Sequence, residues 1–242
     1  MRCPKCGANV PDGKSKCPYC FSPIEVQSTP NSGYGSSDYQ MPAPQKSVSN
    51  VYDKNVEAVA IINNESGTGS GCLISRDGYI LTNGHMVYDE DNKVFFEYVQ
   101  VILEGQKYLG KVVKGNVPRR GYDSEDVALV KIDDPLPYNH LKFGDSSKLR
   151  NGDEVIAIGN SLGMGISVSR GIVSDTNKRV GESYLLTSDV STNKGNSGGP
   201  LFNTKGELIA MCVSGMMYAK GMNFFIPVNH ILDILRGWGY EF

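Results

Sequence analysis

From about residue 51 onward, the hydrophobic residues form short runs that are separated by glycine-rich or polar turns. Runs of this length, rich in β-branched and aromatic residues, are typical of β-strands. The predicted strands are Val56–Ile62, Cys72–Ser75, Tyr79–Thr82, Val94–Leu103, Tyr108–Val117, Asp126–Ile132 and Leu201–Asn203. Only Val228–Trp238 has the spacing of an amphipathic helix. The pattern therefore predicts an all-β protein with one helix near its C-terminus.

The front of the chain lacks this pattern and divides into two segments. Residues 1–21 contain four cysteines, and residues 22–50 are dominated by Ser, Pro, Gly, Gln and Asn. The second segment cannot bury enough apolar surface to offset its loss of conformational entropy, so it is predicted to be a flexible linker. Residues 51–242 are predicted to form the large domain.

The four cysteines form two CxxC motifs, Cys3/Cys6 and Cys17/Cys20. Two such motifs at this separation can place four thiolates tetrahedrally around one Zn²⁺. The segment is too short to bury a core, so the metal would supply its folding free energy. Two disulfides are the alternative, and they require an oxidising compartment. We predict a zinc ribbon that is either purely structural or docks to a protein partner, rather than one that reads nucleic acid.

Composition narrows the class of protein. The chain has 242 residues, 40% of them hydrophobic, which is enough for a substantial core. A net charge of -2 gives no electrostatic case for binding nucleic acid or an anionic membrane. The sequence has no apolar run long enough to span a bilayer and no apolar leader of a signal peptide. We therefore expect a cytoplasmic protein with no membrane partner.

The strongest candidate for a nucleophile is Ser197, within the run Asn-Lys-Gly-Asn-Ser-Gly-Gly-Pro. Gly195 has no Cβ, so its peptide can turn an N–H group toward a reacting carbonyl. The N–H groups of Gly195 and Ser197 would form an oxyanion hole, and Asn196 offers a third donor. A glycine-rich hairpin turn is the alternative for this motif taken alone.

Two further residues can complete a catalytic set. His85 directly follows a predicted strand, where its side chain can face a cleft. Asp126 opens another strand, and a carboxylate there can orient an imidazole. Asp123 and Glu125 are rivals, but they lie in a polar loop. The order His, Asp, Ser differs from the orders in α/β-hydrolases and subtilisins.

With these residues in this order, the chain from about Val56 resembles the chymotrypsin-fold serine proteases of the HtrA/Deg type. Gly152–Asn160 and Gly171–Ser174 resemble the strands that open the second barrel of that family, and Gly221–Pro227 resembles the run before its closing helix. The resemblance implies two six-stranded antiparallel β-barrels with the catalytic groups in the cleft between them. It also implies a serine endopeptidase that hydrolyses unfolded or extended protein segments through an acyl-enzyme, with no cofactor for catalysis.

The resemblance places a polypeptide substrate as an extended strand alongside Met211 and Ser214. Thr192, Met211, Val213 and Ser214 are expected to line the pocket for the residue before the scissile bond. Because no carboxylate is expected there, we predict cleavage after small or medium apolar residues. The family analogy puts Asp189 outside the pocket.

Several positions depart from the family pattern. Lys194 and Ser161 replace prolines, which predicts looser loops, and Phe225 stands where a small residue is common, which predicts a narrower cleft. No PDZ module is expected after the C-terminal helix, and the oligomeric state is left open, an oligomer included. Cys72 and Cys212 are predicted to be buried free thiols, with a place in the cleft as the alternative for Cys212.

Two other functions compete with proteolysis. One is a pseudoprotease that keeps the fold and only binds peptides. The other is an adaptor that the zinc ribbon tethers to a protein or nucleic-acid complex.

Overall fold

The computed structural model describes residues 2–3, 5–10, 17, 20, 22, 46–117, 123–135, 137–215 and 221–242, with backbone alone for 46, 47, 214 and 215. The chain divides into two compact units, Met1–Pro44 and Gln45–Phe242. Most of the predicted linker lies outside the described residues. In the described part of the chain, no helix is both long and apolar enough to cross a membrane.

The first unit contains a tight turn that begins at Cys3. Gly7 donates its N–H to Cys3 O (2.9 Å) and has a φ of +74°, a conformation that glycine adopts without strain. The N–H of Cys3 then bonds Ala8 O (2.9 Å). Cys3, Val10 and Cys17 form a small buried cluster. Turns of this kind bring cysteines that are distant in the sequence close together.

The second unit begins with helix α1 (Lys46–Asn55). The helix starts ahead of residue 51, so the last five residues of the predicted linker are helical. Val51 is buried, and the Asn55 side chain donates hydrogen bonds to Val51 O (2.9 Å) and Gly206 O (3.3 Å). These contacts anchor α1 on the second barrel.

The first barrel is closed by six antiparallel strands in the order β1-β2-β3-β8-β7-β6. The strands of this half are β1 (Val59–Asn64), β2 (Gly67–Leu73), β3 (Tyr79–Thr82), β4 (Tyr88–Asp89), β5 (Val94–Phe95), β6 (Tyr98–Leu103), β7 (Gln106–Gly115) and β8 (Ala128–Lys131). Strands β4 and β5 form a separate two-stranded hairpin. Burial alternates along β6, as expected for a strand with one face on the core.

The second barrel is closed in the order β10-β11-β14-β13-β12-β9. Its strands are β9 (Glu154–Gly159), β10 (Ser167–Val180), β11 (Ser183–Ser188), β12 (Pro200–Asn203), β13 (Leu208–Gly215) and β14 (Asn223–Pro227). Helix α2 (Val228–Gly237) follows and buries Val228, Ile231 and Leu235. The prediction of two six-stranded barrels and a C-terminal helix is therefore confirmed.

The hydrophobic core extends from the first barrel into the region between the barrels, and a smaller cluster fills the second barrel. Phe202 on β12 is fully buried in the larger cluster, and its Cα pairs with Ile156 and Leu208. A cluster shared between the barrels holds them in a fixed relation, which the functional site needs.

Phe202→Ala should lower the free energy of unfolding by about 3–5 kcal/mol, because it removes a buried ring and leaves a cavity. Leu109→Ala is the control, since Leu109 is largely exposed on β7 and its loss should change stability by no more than about 0.5 kcal/mol. Urea unfolding of both variants measures the difference. Equal losses would contradict the burial of Phe202.

Candidate active site

Both carboxylate oxygens of Asp126 bind His85. The Oδ2 atom lies 2.6 Å from His85 Nδ1, and Oδ1 accepts a 2.9 Å hydrogen bond from the His85 backbone N–H. The carboxylate is buried, with 6% of its side chain exposed, and Asn83 Nδ2 donates to the backbone oxygen of Asp126 (2.8 Å). This contact places the ring proton on Nδ1 and leaves Nε2 as a base.

The two rival acids have other partners. Asp123 Oδ1 accepts a hydrogen bond from the Glu125 N–H (3.0 Å), and Glu125 Oε1 lies 2.8 Å from His230 Nε2. Asp126 is therefore the carboxylate that the structure brings to His85.

Two opposing effects act on the pKa of His85. Burial lowers the pKa because it penalises the charged ring, whereas the hydrogen bond and charge of Asp126, together with the charge of Glu90, raise it. The net shift of the pKa is upward. The neutral base therefore becomes available only at a higher pH than for an ordinary histidine.

The turn ahead of Ser197 is a type II β-turn. Asn196 donates its N–H to Asn193 O (3.1 Å), and Gly195 has a φ of +97°, as the third position of such a turn requires. A Cβ on Gly195 would lie 2.1 Å from Asn160 O, so only glycine fits. Because the Asn196 N–H is used within the turn, the prediction of a third oxyanion donor there is corrected.

The peptide between Lys194 and Gly195 has a defined orientation. Lys194 O accepts a 2.7 Å hydrogen bond from the Leu162 N–H. The C=O and N–H of a trans peptide point in opposite directions, so the Gly195 N–H points away from Leu162. Within the described ranges, no group accepts a hydrogen bond from the N–H of Gly195 or Ser197. These two donors are free to bind an oxyanion.

Strand β2 connects the histidine and serine turns. The Ser70 N–H donates to Ser197 O (2.8 Å). A Cβ on Gly69 would lie 3.1 Å from Ser197 O and 2.6 Å from the sulfur of Met86, the residue after His85. Glycine at this position therefore allows both turns to approach the same point of β2.

A polar cluster lies behind the serine turn. Thr192 Oγ1 donates to Asn223 Oδ1 (2.6 Å), and Asn223 Nδ2 donates to Val190 O (2.7 Å). Burial raises the pKa of the Cys212 thiol to about 12, although its contact with the Thr192 hydroxyl lowers it. Of the residues that the sequence assigned to the pocket, Thr192 thus adjoins Cys212 and Asn223. Asn223 is not among the predicted pocket residues, although it is the one amide in an otherwise apolar strand.

Two other predicted pocket residues lie elsewhere. Met211 and Val213 are buried in the hydrophobic cluster that continues into the first barrel, whereas Cys212 belongs to the cluster inside the second. Successive side chains of a strand point to opposite faces. Cys212, which lies between Met211 and Val213, therefore faces the side where the pocket was predicted. The prediction that Met211 and Val213 line the pocket is therefore wrong. For Ser214, the structure gives backbone pairing with Phe224.

The edge of β13 is open over a short stretch. Cys212 exchanges two 2.9 Å hydrogen bonds with Gly198 and Gly199, which cover the edge up to that residue. Beyond it, among the described residues, Ser214 and Gly215 pair on the β14 side alone, and Val213 lies at the shift of register between Cys212 and Ser214. An extended peptide can add a strand at this edge. Asp189 is exposed, and its carboxylate accepts a hydrogen bond from the Ile172 N–H (2.7 Å).

The second candidate site is the cysteine cluster, which contains Cys3, Cys6, Cys17 and Cys20. All four sulfur atoms lie within 4.8 Å of one another, with Cys3–Cys20 at 3.6 Å and Cys6–Cys17 at 3.7 Å. Sulfurs bound tetrahedrally to Zn²⁺ at about 2.3 Å would be about 3.8 Å apart. The hydroxyl and N–H of Ser22 lower the pKa of Cys20 to about 6, which favours its thiolate. The donor set and spacing therefore fit a zinc ion.

The comparisons with known proteins agree with this geometry. Residues 69–211 match the trypsin-like peptidase domain. A "Probable periplasmic serine endoprotease DegP-like" of Pseudomonas putida is 39% identical over 175 residues, which are 69% of this chain and 34% of that protein. A "Probable periplasmic serine protease do/HhoA-like" of Haemophilus influenzae is 36% identical over 184 residues, which are 72% of this chain and 37% of that protein. The chain thus spans about a third of the length of these relatives.

Solved structures give the same result. The "HtrA-type protease AlgW with tripeptide" superposes with a TM-score of 0.68 and 28% identity, covering 78% of this chain and 62% of that one. The comparison with relatives contradicts the expectation of a cytoplasmic protein, because several of these relatives are named periplasmic proteases. That expectation depended on features of the given sequence alone, and the composition of a folded domain does not encode a compartment.

The imidazole of His85 should titrate above about 6.5, the ordinary value for histidine. In Asp126→Asn the hydrogen bond to an anion is lost while burial remains, so the pKa of His85 should fall below that value. Nitrogen-15 NMR titration of the ring measures both, with His140→Gln and His230→Gln to simplify the spectrum. An unchanged pKa in Asp126→Asn would contradict the assigned contact.

Proposed function

Because the chain belongs to the HtrA-type trypsin-like serine proteases, we propose that it is an endopeptidase that hydrolyses unfolded or extended protein segments. One observation carries the proposal. His85 is held by both oxygens of Asp126, and the next residue, Met86, adjoins the strand that also binds the Ser197 turn, where two N–H groups are free. A base, a nucleophile and oxyanion donors are the parts that acyl transfer needs.

In the proposed reaction, Ser197 Oγ attacks the carbonyl carbon of a peptide bond while His85 Nε2 takes its proton. The N–H groups of Gly195 and Ser197 bind the oxyanion, and Asp126 stabilises the imidazolium. His85 then gives the proton to the leaving amine as the C–N bond breaks. Water, activated by His85, hydrolyses the resulting ester and restores Ser197.

The open edge at Val213–Gly215 supports an extended substrate, since a folded protein rarely presents a free strand of its backbone. Thr192, Cys212 and Asn223 are uncharged, and Thr192 and Asn223 satisfy each other by hydrogen bonding. A pocket with this lining favours a small or medium side chain before the scissile bond over Lys or Arg. The periplasmic names of relatives support a site of action outside the cytoplasm.

A fluorophosphonate probe should label the purified protein at Ser197, because the reaction needs an activated serine and an oxyanion hole. Mass spectrometry of the labelled peptide identifies the site. His85→Ala should reduce the labelling rate by at least about 10³-fold, since the base is lost.

Cleavage itself is measured by incubating a denatured proteome with the protein and identifying the new N-termini. New N-termini should appear with the wild type and not with Ser197→Ala, and small or medium apolar residues should precede them. Labelling of Ser197 without cleavage would limit the proposal to an esterase-like site. Neither labelling nor cleavage, with intact peptide binding, would favour the pseudoprotease.

We further propose that Cys3, Cys6, Cys17 and Cys20 bind one structural Zn²⁺, supported by their sulfur spacing. Disulfides are the competing arrangement, and a compartment outside the cytoplasm would allow them to form. Disulfide-bonded sulfurs lie about 2.05 Å apart, however, and all six cysteines here are free thiols. Docking of this ribbon to a protein partner stays a prediction.

Atomic emission should find about one zinc per chain in protein purified without added metal. Cys3→Ser with Cys17→Ser should lose that zinc, because two of four ligands are gone, whereas Cys72→Ser should keep it. Absence of zinc together with only two titratable thiols in the unfolded, unreduced protein would show disulfides instead.

A further inference from the structure

Ser70 is a fully buried serine on β2, and its hydroxyl makes contacts across the boundary between the barrels. Its O–H donates to Gly195 O at 2.7 Å, and its oxygen accepts from the Asn160 N–H at 2.9 Å. Gly195 and Asn160 both belong to loops of the second barrel. One hydroxyl of the first barrel therefore holds two backbone groups of the second.

The backbone of Ser70 is fixed as well. Its N–H donates to Ser197 O (2.8 Å), and its own carbonyl oxygen accepts from Thr82 Oγ1 (2.8 Å). The same residue thus binds a carbonyl at either end of the segment from Gly195 to Ser197. Its position is set from within the first barrel by Thr82.

These contacts restrict the most mobile part of the turn. Glycine can rotate about its backbone bonds more freely than any other residue, so the Gly195 peptides could flip if nothing held them. The carbonyl of Lys194 is held by the Leu162 N–H, and the carbonyl of Gly195 is held by Ser70. A flip of either peptide would break a hydrogen bond, and in the case of Ser70 it would leave a buried hydroxyl without its acceptor.

We infer that Ser70 is a positioning residue for peptide hydrolysis: its hydroxyl holds the peptide between Gly195 and Asn196. This peptide lies between the two peptides that carry the N–H groups of Gly195 and Ser197, so fixing it keeps both N–H groups facing the oxyanion. This inference rests on the proposed function. Ser70 acts through the turn and does not touch the substrate. Its removal should therefore weaken the chemical step and leave substrate binding at Val213–Gly215 intact.

Ser70→Ala should lower kcat for a peptide amide by about 10- to 100-fold, the size of effect expected when reacting groups are misplaced by a fraction of an ångström to 1 Å. KM should change by less than about threefold, because the substrate strand binds elsewhere. The rate of fluorophosphonate labelling should fall together with kcat, since the phosphonyl oxygen uses the same two N–H groups.

Ser188→Ala is the matched control. Ser188 is also fully buried, and its hydroxyl donates to Ile172 O (2.7 Å) and accepts from the Val190 N–H (3.1 Å). The two serines make the same kinds of hydrogen bond, but Ser188 does not contact the Gly195 turn. Both variants should lose comparable thermal stability, whereas kcat should fall only in Ser70→Ala.

The outcomes separate the inference from the proposed function. If the wild type is active and Ser70→Ala retains its kcat, or if both alanine variants lose kcat equally, the positioning role is overturned. A wild type that neither reacts with the probe nor cleaves peptides overturns the proposed function itself. Should Ser70→Ala not fold, Ser70→Cys, which keeps a weaker donor, should show a reduced kcat, and an unchanged kcat there would overturn the inference.

Discussion

The proposed oxyanion hole requires that the carbonyl oxygens around Ser197 point away from the cleft, so that the N–H groups of Gly195 and Ser197 point into it. The structure meets this constraint with hydrogen bonds from Leu162, Ser70 and the turn itself. Each bond fixes a peptide plane before any substrate arrives. Donors that are already oriented need no reorganisation as charge develops on the substrate, which is why such preorganisation contributes strongly to catalysis.

The second requirement concerns the charge of His85. Burial alone would keep His85 neutral, but the carboxylate of Asp126 favours the protonated ring, which the proposed reaction would form. The carboxylate is itself buried, and its hydrogen bonds to the backbone and ring of His85 offset its loss of water. The two hydrogen bonds between Asp126 and His85 therefore both orient the imidazole and favour its charged form.

Sequence patterns predicted the features that depend on local chemistry. The β-strands follow from short apolar runs between turns, whereas their closure into two barrels follows only from the resemblance to the HtrA/Deg family. Asp126 is favoured over Asp123 and Glu125 because a strand follows it directly. The orientation of the Asn196 N–H could not be predicted, because the hydrogen bond that closes a turn depends on the turn type. Helix α1 was missed because its composition is polar and its stability comes from tertiary contacts such as Asn55 with Gly206.

The errors in the substrate pocket have a geometric cause. Neighbouring strand residues face opposite sides, so a shift of one position exchanged Cys212 for Met211 and Val213. The hydrogen bond between Ser70 and Gly195 joins residues 125 positions apart in the sequence, and no local pattern indicates it. Residues that act through such tertiary contacts therefore cannot be predicted from the sequence alone.

A crystal structure of the protein with a peptide boronic acid bound to Ser197 would show whether the N–H groups of the turn bind an oxyanion, because the adduct imitates the tetrahedral intermediate. One boronate oxygen should lie about 2.7–3.1 Å from both the Gly195 and Ser197 nitrogens. His85 Nε2 should lie within hydrogen-bonding distance of the adduct, with Asp126 still bound to Nδ1. A boronate oxygen directed into solvent, or a Gly195 N–H turned away from it, would show that the turn does not form an oxyanion hole.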